Sequence, residues 1–303
     1  MSLRHFGAPR HWPTWLLLGL LHLIGCLPFG WQKALGIGLG RLLFRVKRRQ
    51  RRIARRNLEV CFPTLTEAER EALLRRHFRS VGLSIVEMAI GWYSSSAKLD
   101  RLVRVDGWDN LEAALARGTG VLLVGAHFTP VEVGAAVLER LDHPVACMYR
   151  SQRNAMMDVL IRRGRRRFAD VQLGRDNVRE LVRRLRQKYV VLYLPDQTYL
   201  GNQSALLPFF GEPALTNIAT SKLARMGKAA VLPYFFRRLD DDSGYVVDIG
   251  PALDAFPSED AAADTARIVA LLEAYIRRQP EQYLWLYKKF KHRPADLPDL
   301  YAR

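Results

Sequence analysis

The chain has 303 residues, 49% of them hydrophobic and 10% aromatic, which excludes a disordered or low-complexity protein and is ample to bury a core in one large domain or two small ones. A mean hydropathy of −0.11 with one long apolar stretch excludes a polytopic membrane protein. With 47 Lys and Arg against 30 Asp and Glu, the formal net charge is +17, so anionic partners are expected: phosphate in nucleic acid or lipid headgroups, or an acidic carrier.

The first informative segment runs apolar from Trp12 to Phe44, broken by His22, Pro28, Gln32, Lys33 and Arg41. Its best stretch, Trp15 to Trp31, is marginal against the roughly 20 apolar residues that a spanning helix needs. Arg4 and Arg10 precede it as in a signal peptide, but the run is long for one, no A-x-A-like site closes it, and a dense basic block follows at residues 45–56. These features predict a membrane anchor over residues 1–44, with tryptophans at the interface and the arginine block touching anionic lipid on the cytoplasmic side. The alternative is a helical hairpin buried in the domain.

Residues 45–303 read as one α/β domain, a mixed central sheet covered by helices. Thr66-Glu67-Ala68-Glu69 has the form of a capping box and opens a helix to Ile90, with Leu73, Leu74, Phe78, Val81, Ile85 and Met88 at helical spacing. Apolar runs at Gly120–Ala126, Pro144–Tyr149, Tyr189–Leu194, Ala229–Phe236 and Tyr245–Ile249, with Val103–Val105 as a sixth, read as strands. Amphipathic stretches near Val131–Leu141, Ala155–Phe168, Asn177–Gln187 and Asn217–Met226 alternate with them. The turn Asp240-Asp241-Asp242-Ser243-Gly244 predicts one antiparallel pair. Cys26, Cys61 and Cys147 are odd in number and far apart, so neither a disulfide framework nor a cysteine metal site is expected.

Chemistry in such a sheet belongs at the carboxyl ends of the strands. The first long strand ends in Gly125-Ala126-His127-Phe128-Thr129-Pro130-Val131-Glu132. Pro130 suits the first helical position and Thr129 the N-cap, which leaves His127 on the loop and Glu132 in the first turn. That arrangement predicts an imidazole oriented by the Glu132 carboxylate, able to take a proton from an alcohol. The competing reading is structural, because Thr129-x-x-Glu132 is itself a capping box.

The His-x4-Glu spacing after a Val/Leu-rich strand resembles the signature of the lysophospholipid acyltransferase superfamily. More specifically, the chain resembles the late acyltransferases of bacterial lipid A biosynthesis. Further matching stretches are Arg55–Pro63, Tyr193-Leu194-Pro195-Asp196-Gln197, Pro208-Phe209-Phe210-Gly211 with Leu223–Met226, and Pro280–Trp285. The resemblance implies transfer of a fatty acyl chain from acyl carrier protein to a hydroxyl of a lipid A precursor at the inner membrane. It implies His127 and Glu132 as catalytic residues and Arg165 and Asp196 as substrate-binding ones. The chain departs from many relatives in carrying Thr129-Pro130-Val131 between the motif residues and Tyr287 where they often have His.

The residue chemistry suits the same reaction: His127 as general base, Glu132 balancing the imidazolium, and direct attack on a thioester with no metal or cofactor. No G-x-S-x-G elbow exists, and Cys147 sits in an apolar run, so an acyl-enzyme is not expected. The cluster Arg162, Arg163, Arg165, Arg166 and Arg167 suits an anionic phosphoglycolipid or an acidic carrier, or else forms a solvated helix face. Phe209-Phe210 suits an acyl channel or plain core packing. Alternatives are an acyl-CoA-dependent enzyme acting on another phosphoglycolipid and a non-catalytic basic protein binding membrane or nucleic acid. Nucleic-acid readout is not expected, for lack of any recognition motif.

Overall fold

The computed structural model describes residue 6 and residues 8–152, 154–174, 176–241 and 243–302; Arg4 and Asp242, named above, lie outside them. The N-terminal apolar run forms two helices, α1 (Trp12–Cys26) and α2 (Phe29–Val46). Pro28 disfavours a helical residue before it, and Leu27 is extended with ψ 154°. The predicted anchor is therefore not borne out as a spanning helix. At 1.5 Å per residue, α1 is only about 22 Å long, and among the described residues no helix is long and apolar enough to cross a membrane. The break also leaves carbonyls at the end of α1 that the imino nitrogen of Pro28 cannot satisfy. The buried amide of Gln32 takes them, donating to Ile24 O at 2.8 Å and Gly25 O at 3.1 Å.

The arginine block folds as α3 (Arg48–Cys61), followed by α4 (Glu67–Tyr93), whose predicted capping box is present: Thr66 Oγ1 accepts from Glu69 N–H, and Glu69 accepts from Thr66 N–H at 2.7 Å. Helix α2 lies against α4 at a place where side chains do not fit. A Cβ on Gly82 would sit 2.2 Å from Gly36 O and 2.3 Å from Gly40 N. Residue 44, the predicted end of the anchor, falls within α2, which packs on α4.

The rest alternates strands and helices, with β1, β2, β3, β5, α7, α8 and α9 where the sequence predicts them and α5, α6 and β4 in addition: α5 (Ser96–Leu102), β1 (Val103–Asp106), α6 (Trp108–Ala116), β2 (Val121–Val124), α7 (Val131–Ala136), β3 (Val145–Tyr149), α8 (Ala155–Arg165), β4 (Val171–Gly174), α9 (Val178–Arg186) and β5 (Val190–Tyr193). A hairpin follows, β6 (Ser204–Phe209) and β7 (Glu212–Asn217), then α10 (Ala219–Gly227), β8 (Ala230–Arg238), β9 (Tyr245–Ile249) and α11 (Ala261–Arg278). The main sheet runs β1-β9-β8-β2-β5-β3-β4, with every neighbouring pair parallel except β8 and β9. It is the mixed sheet expected from the 240–244 turn.

Strands β2 and β5 are buried along their whole length, as parallel strands covered on both faces must be. Val121, Leu123, Val190 and Leu192 join one core cluster with residues of α4, α7 and α11. Leu122, Val124, Val191 and Tyr193 join the other, with residues of α9 and α10. Their carboxyl ends are consequently held in a rigid frame.

Candidate active site

Strands β2 and β5 pair in parallel with Val124 opposite Tyr193. Three residues beyond each of these partners stand His127 and Asp196, so the register delivers the two side chains to the same place. His127 Nδ1 lies 2.6 Å from Asp196 Oδ1, and the His127 backbone N–H donates to Asp196 Oδ2 at 3.2 Å. A carboxylate only accepts, so Nδ1 carries the proton and Nε2 keeps its basic lone pair. Asp196 is almost wholly buried, while the His127 side chain remains 32% exposed.

Burial opposes the charged form of His127, but the Asp196 charge and hydrogen bond outweigh it and raise the imidazole pKa above its ordinary value; Arg165 pulls in the opposite sense. For Asp196, burial favours the acid, yet His127, its hydrogen bonds and nearby Lys289 win and lower the pKa.

Glu132 lies where the sequence placed it in chain order, in the first turn of α7, but it is not the partner of His127. Its Oε1 accepts from Arg165 Nε at 3.1 Å and also from Nη2, while Oε2 accepts from the Trp92 indole N–H at 2.8 Å. The predicted His127–Glu132 pair is thus corrected: the imidazole is oriented by Asp196, and Glu132 fixes Arg165. The capping-box alternative fails as well. The N-cap is Pro130, without a side-chain cap, and the Thr129 hydroxyl is 2.6 Å from Ser80 Oγ on α4. Ser80 in turn accepts from Arg238 Nη1, whose guanidinium is paired in the core with Glu87. Tertiary partners have taken both groups away from the local cap.

Arg165 is the last residue of α8, which reaches Glu132 because it packs closely on α4. A Cβ on Gly164 would meet the Trp92 ring at 2.3 Å, so only glycine leaves room for the indole that also holds Glu132. Nε and Nη2 of Arg165 are taken by Glu132, and Nη1 makes no hydrogen bond among the described residues. Of the neighbouring arginines, Arg167 is structural, pairing with Glu139 and the Ser94 carbonyl. Arg162, Arg163 and Arg166 are exposed.

Two expectations resolve toward packing. Phe209 is buried against Tyr283 and Phe290, and Phe210, half-buried, packs against Phe62 and Trp285. Cys147 is buried in β3, with desolvation pushing its thiol up to about 11, so it stays protonated and poorly nucleophilic. Among the described residues no group of three or more acidic, His or Cys side chains is placed to hold a metal. Sequence reasoning did not single out Trp92, nor Tyr283 and Lys289, which both reach Asp196. Tyr283 lies within the quoted 280–285 stretch, whereas nothing local distinguishes Lys289 from Lys288.

Residues 2–292 match the family described as bacterial lipid A biosynthesis acyltransferase. The chain is 36% identical to the lipid A biosynthesis palmitoleoyltransferase of Escherichia coli K12, over 98% of its own length and 97% of the relative's. It is 36% identical to the lauroyltransferase of the same organism, over 97% and 96%, and 27% identical to its myristoyltransferase, over 98% and 94%.

Proposed function

The chain belongs to the bacterial lipid A biosynthesis acyltransferase family, and on that premise we propose that it moves a fatty acyl chain from acyl carrier protein to a hydroxyl of a phosphorylated lipid A precursor of the Kdo-lipid IVA type. The observation that carries this reading is the His127–Asp196 pair at the carboxyl ends of adjacent strands, with the Glu132–Arg165 pair beside it. Nε2 of His127 removes the proton of the acceptor hydroxyl while Asp196 stabilises the imidazolium. The alkoxide attacks the thioester carbonyl, and the tetrahedral intermediate collapses to the new ester, expelling the carrier thiolate, which takes the proton back from His127. Glu132 holds Arg165 so that Nη1 faces an acceptor phosphate or the developing oxyanion. Direct transfer needs no enzyme nucleophile and no cofactor.

We also propose that catalysis takes place on a membrane surface, at the cytoplasmic face of the inner membrane, without a spanning helix. Trp12, Leu16, Leu20 and Leu23 form an exposed stripe along α1, and Trp31, Leu35 and Leu42 one along α2. Such stripes suit a helix pair lying in the headgroup region. The arginines of α3 add attraction to anionic lipid, lining with Lys288 and the C-terminal residues a groove of about 320 Å³.

The test is mass spectrometry of lipid products after purified protein is mixed with acceptor-containing membranes and either acyl carrier protein or CoA thioesters. Acylated lipid A precursor formed with the carrier-protein donor is expected. Product formed only from the CoA donor, or only on another lipid, would contradict the proposal.

A further inference from the structure

The segment from Gln282 to Phe290 crosses the ends of β2 and β5 and ties their loops together. Phe128 and Tyr283 form an antiparallel bridge, Thr129 N–H donates to Gln282 O at 2.7 Å, and Leu284 N–H donates to His127 O at 2.9 Å. On the other loop, Thr198 Oγ1 donates to Lys289 O at 2.6 Å, and Tyr287 OH donates to Thr198 O at 3.0 Å. Two side chains of this strap reach Asp196 itself. The Tyr283 hydroxyl donates to Oδ2 at 3.1 Å, and Lys289 Nζ donates to the Asp196 carbonyl at 2.8 Å. Both residues are buried, at 4% and 3% exposure.

We propose that Tyr283 and Lys289 are positioning residues for acyl transfer, which fix Asp196 against His127 Nδ1 and limit how tightly the pair holds a proton. The inference rests on His127 being the base. A carboxylate accepting from one imidazole alone would be free to rotate and would carry its full charge toward the ring. Here Oδ2 is held by the Tyr283 hydroxyl and the His127 amide, so Oδ1 is left to Nδ1. Lys289, bonded to the Asp196 carbonyl, adds a positive charge near the carboxylate. Desolvation lowers the lysine pKa, which the Asp196 charge counters, and its ammonium also sits 4.7 Å from the Phe209 ring centroid. Two buried polar groups, one on the carboxylate and one on the backbone carbonyl, thus converge on the same residue, Asp196.

The charged and titratable groups around the pair are few. His127 faces Asp196 and, from α8, Arg165. Asp196 faces His127, Tyr283 and Lys289, and behind the lysine lie Cys61 of α3 and Glu273 of α11. Removing the tyrosine hydroxyl or the lysine charge leaves the carboxylate more negative in effect. Both changes therefore raise the proton affinity of the pair, and the imidazole stays protonated, hence inactive as a base, to higher pH.

The test is ¹³C NMR titration of ring-labelled histidine in the full chain, with the His127 signal assigned by its loss in His127→Ala. Tyr283→Phe and Lys289→Met are each expected to move the His127 midpoint upward by about 0.3 pH units or more, and to shift the acid limb of kcat/KM equally. A residue that only stabilises the fold would lower the melting temperature and leave the midpoint in place. A midpoint within about 0.1 units of the parent in folded Tyr283→Phe overturns the proposal. That conservative variant decides alone if Lys289→Met does not fold. A parent chain inactive on every donor would tell against the acyl-transfer reading without touching the titration result.

Discussion

Two carboxylates flank the site, and they do opposite things. Asp196 touches a titratable imidazole and is surrounded by donors that leave one oxygen for that ring; Glu132 touches a permanent cation and an indole that use both of its oxygens. Asp196 is placed to answer a charge that appears only when the proton moves. Glu132 neutralises a charge that is always there. The histidine and the acid of one short motif therefore have separate partners, and the acid that contacts the histidine comes from beyond the end of another strand.

The largest effect expected from this division is at the first centre. His127→Ala and Asp196→Asn should each reduce acyl transfer by about 10³ to 10⁴, the scale of losing an orienting carboxylate in a histidine-based mechanism, read as kcat/KM by product mass spectrometry. Next come Glu132→Gln and Arg165→Ala, at about 10² each if Arg165 meets a phosphate or an oxyanion. Because Glu132 acts through Arg165, the double variant should lose little more than either single one. Fully multiplicative losses would show that Glu132 has a role of its own.

The pH profile sharpens the same contrast. The pKa of His127 is raised above about 6.5 by Asp196, and only the neutral ring is a base, so kcat/KM should rise with pH through a midpoint above that value. His77 supplies the opposite case in the core of α4. Burial lowers its pKa to about 4, so the unfolded chain binds the extra proton first. Its contribution to stability is complete above about pH 6.5 and is lost as pH falls toward 4; His77→Phe should flatten that acid slope in denaturant titrations. The smallest expected effect is Arg166→Ala, within a few-fold of the parent, since its side chain is exposed and lies outside both pairs.

Hydrophobic runs made the strands of the main sheet legible, from β1 to β9, because buried parallel strands leave no alternation to obscure them. Strand β4 escaped, being half-exposed at the sheet edge. The β6–β7 hairpin escaped because prolines stand in both strands, and its turn places Phe210 at φ 52° before Gly211 at 82°, where Asn or Asp is the usual signal. Helix α11 lies outside every predicted element, although Asp260 caps it. At the site, His127 and Asp196 were visible as strand-end residues, but their contact was not. It depends on β5 entering the sheet beside β2, ahead of β3 and β4 in space though behind them in sequence. Thr66-x-x-Glu69 and Thr129-x-x-Glu132 are the same motif with different outcomes. The first lies on an exposed helix end with no competitor, while the second lies among Ser80, Trp92 and Arg165, which offer buried hydrogen bonds instead.

The separation of the two carboxylates is tested most directly by the titration midpoint of His127 in Asp196→Asn and Glu132→Gln, followed on the ring-labelled chain. Without Asp196, burial and Arg165 act on the imidazole unopposed, so its midpoint should fall below about 6.5. Without the Glu132 charge it should change by less than half as much. A fall in Glu132→Gln equal to or larger than that in Asp196→Asn would contradict the assignment and return Glu132 to the role of the imidazole's partner.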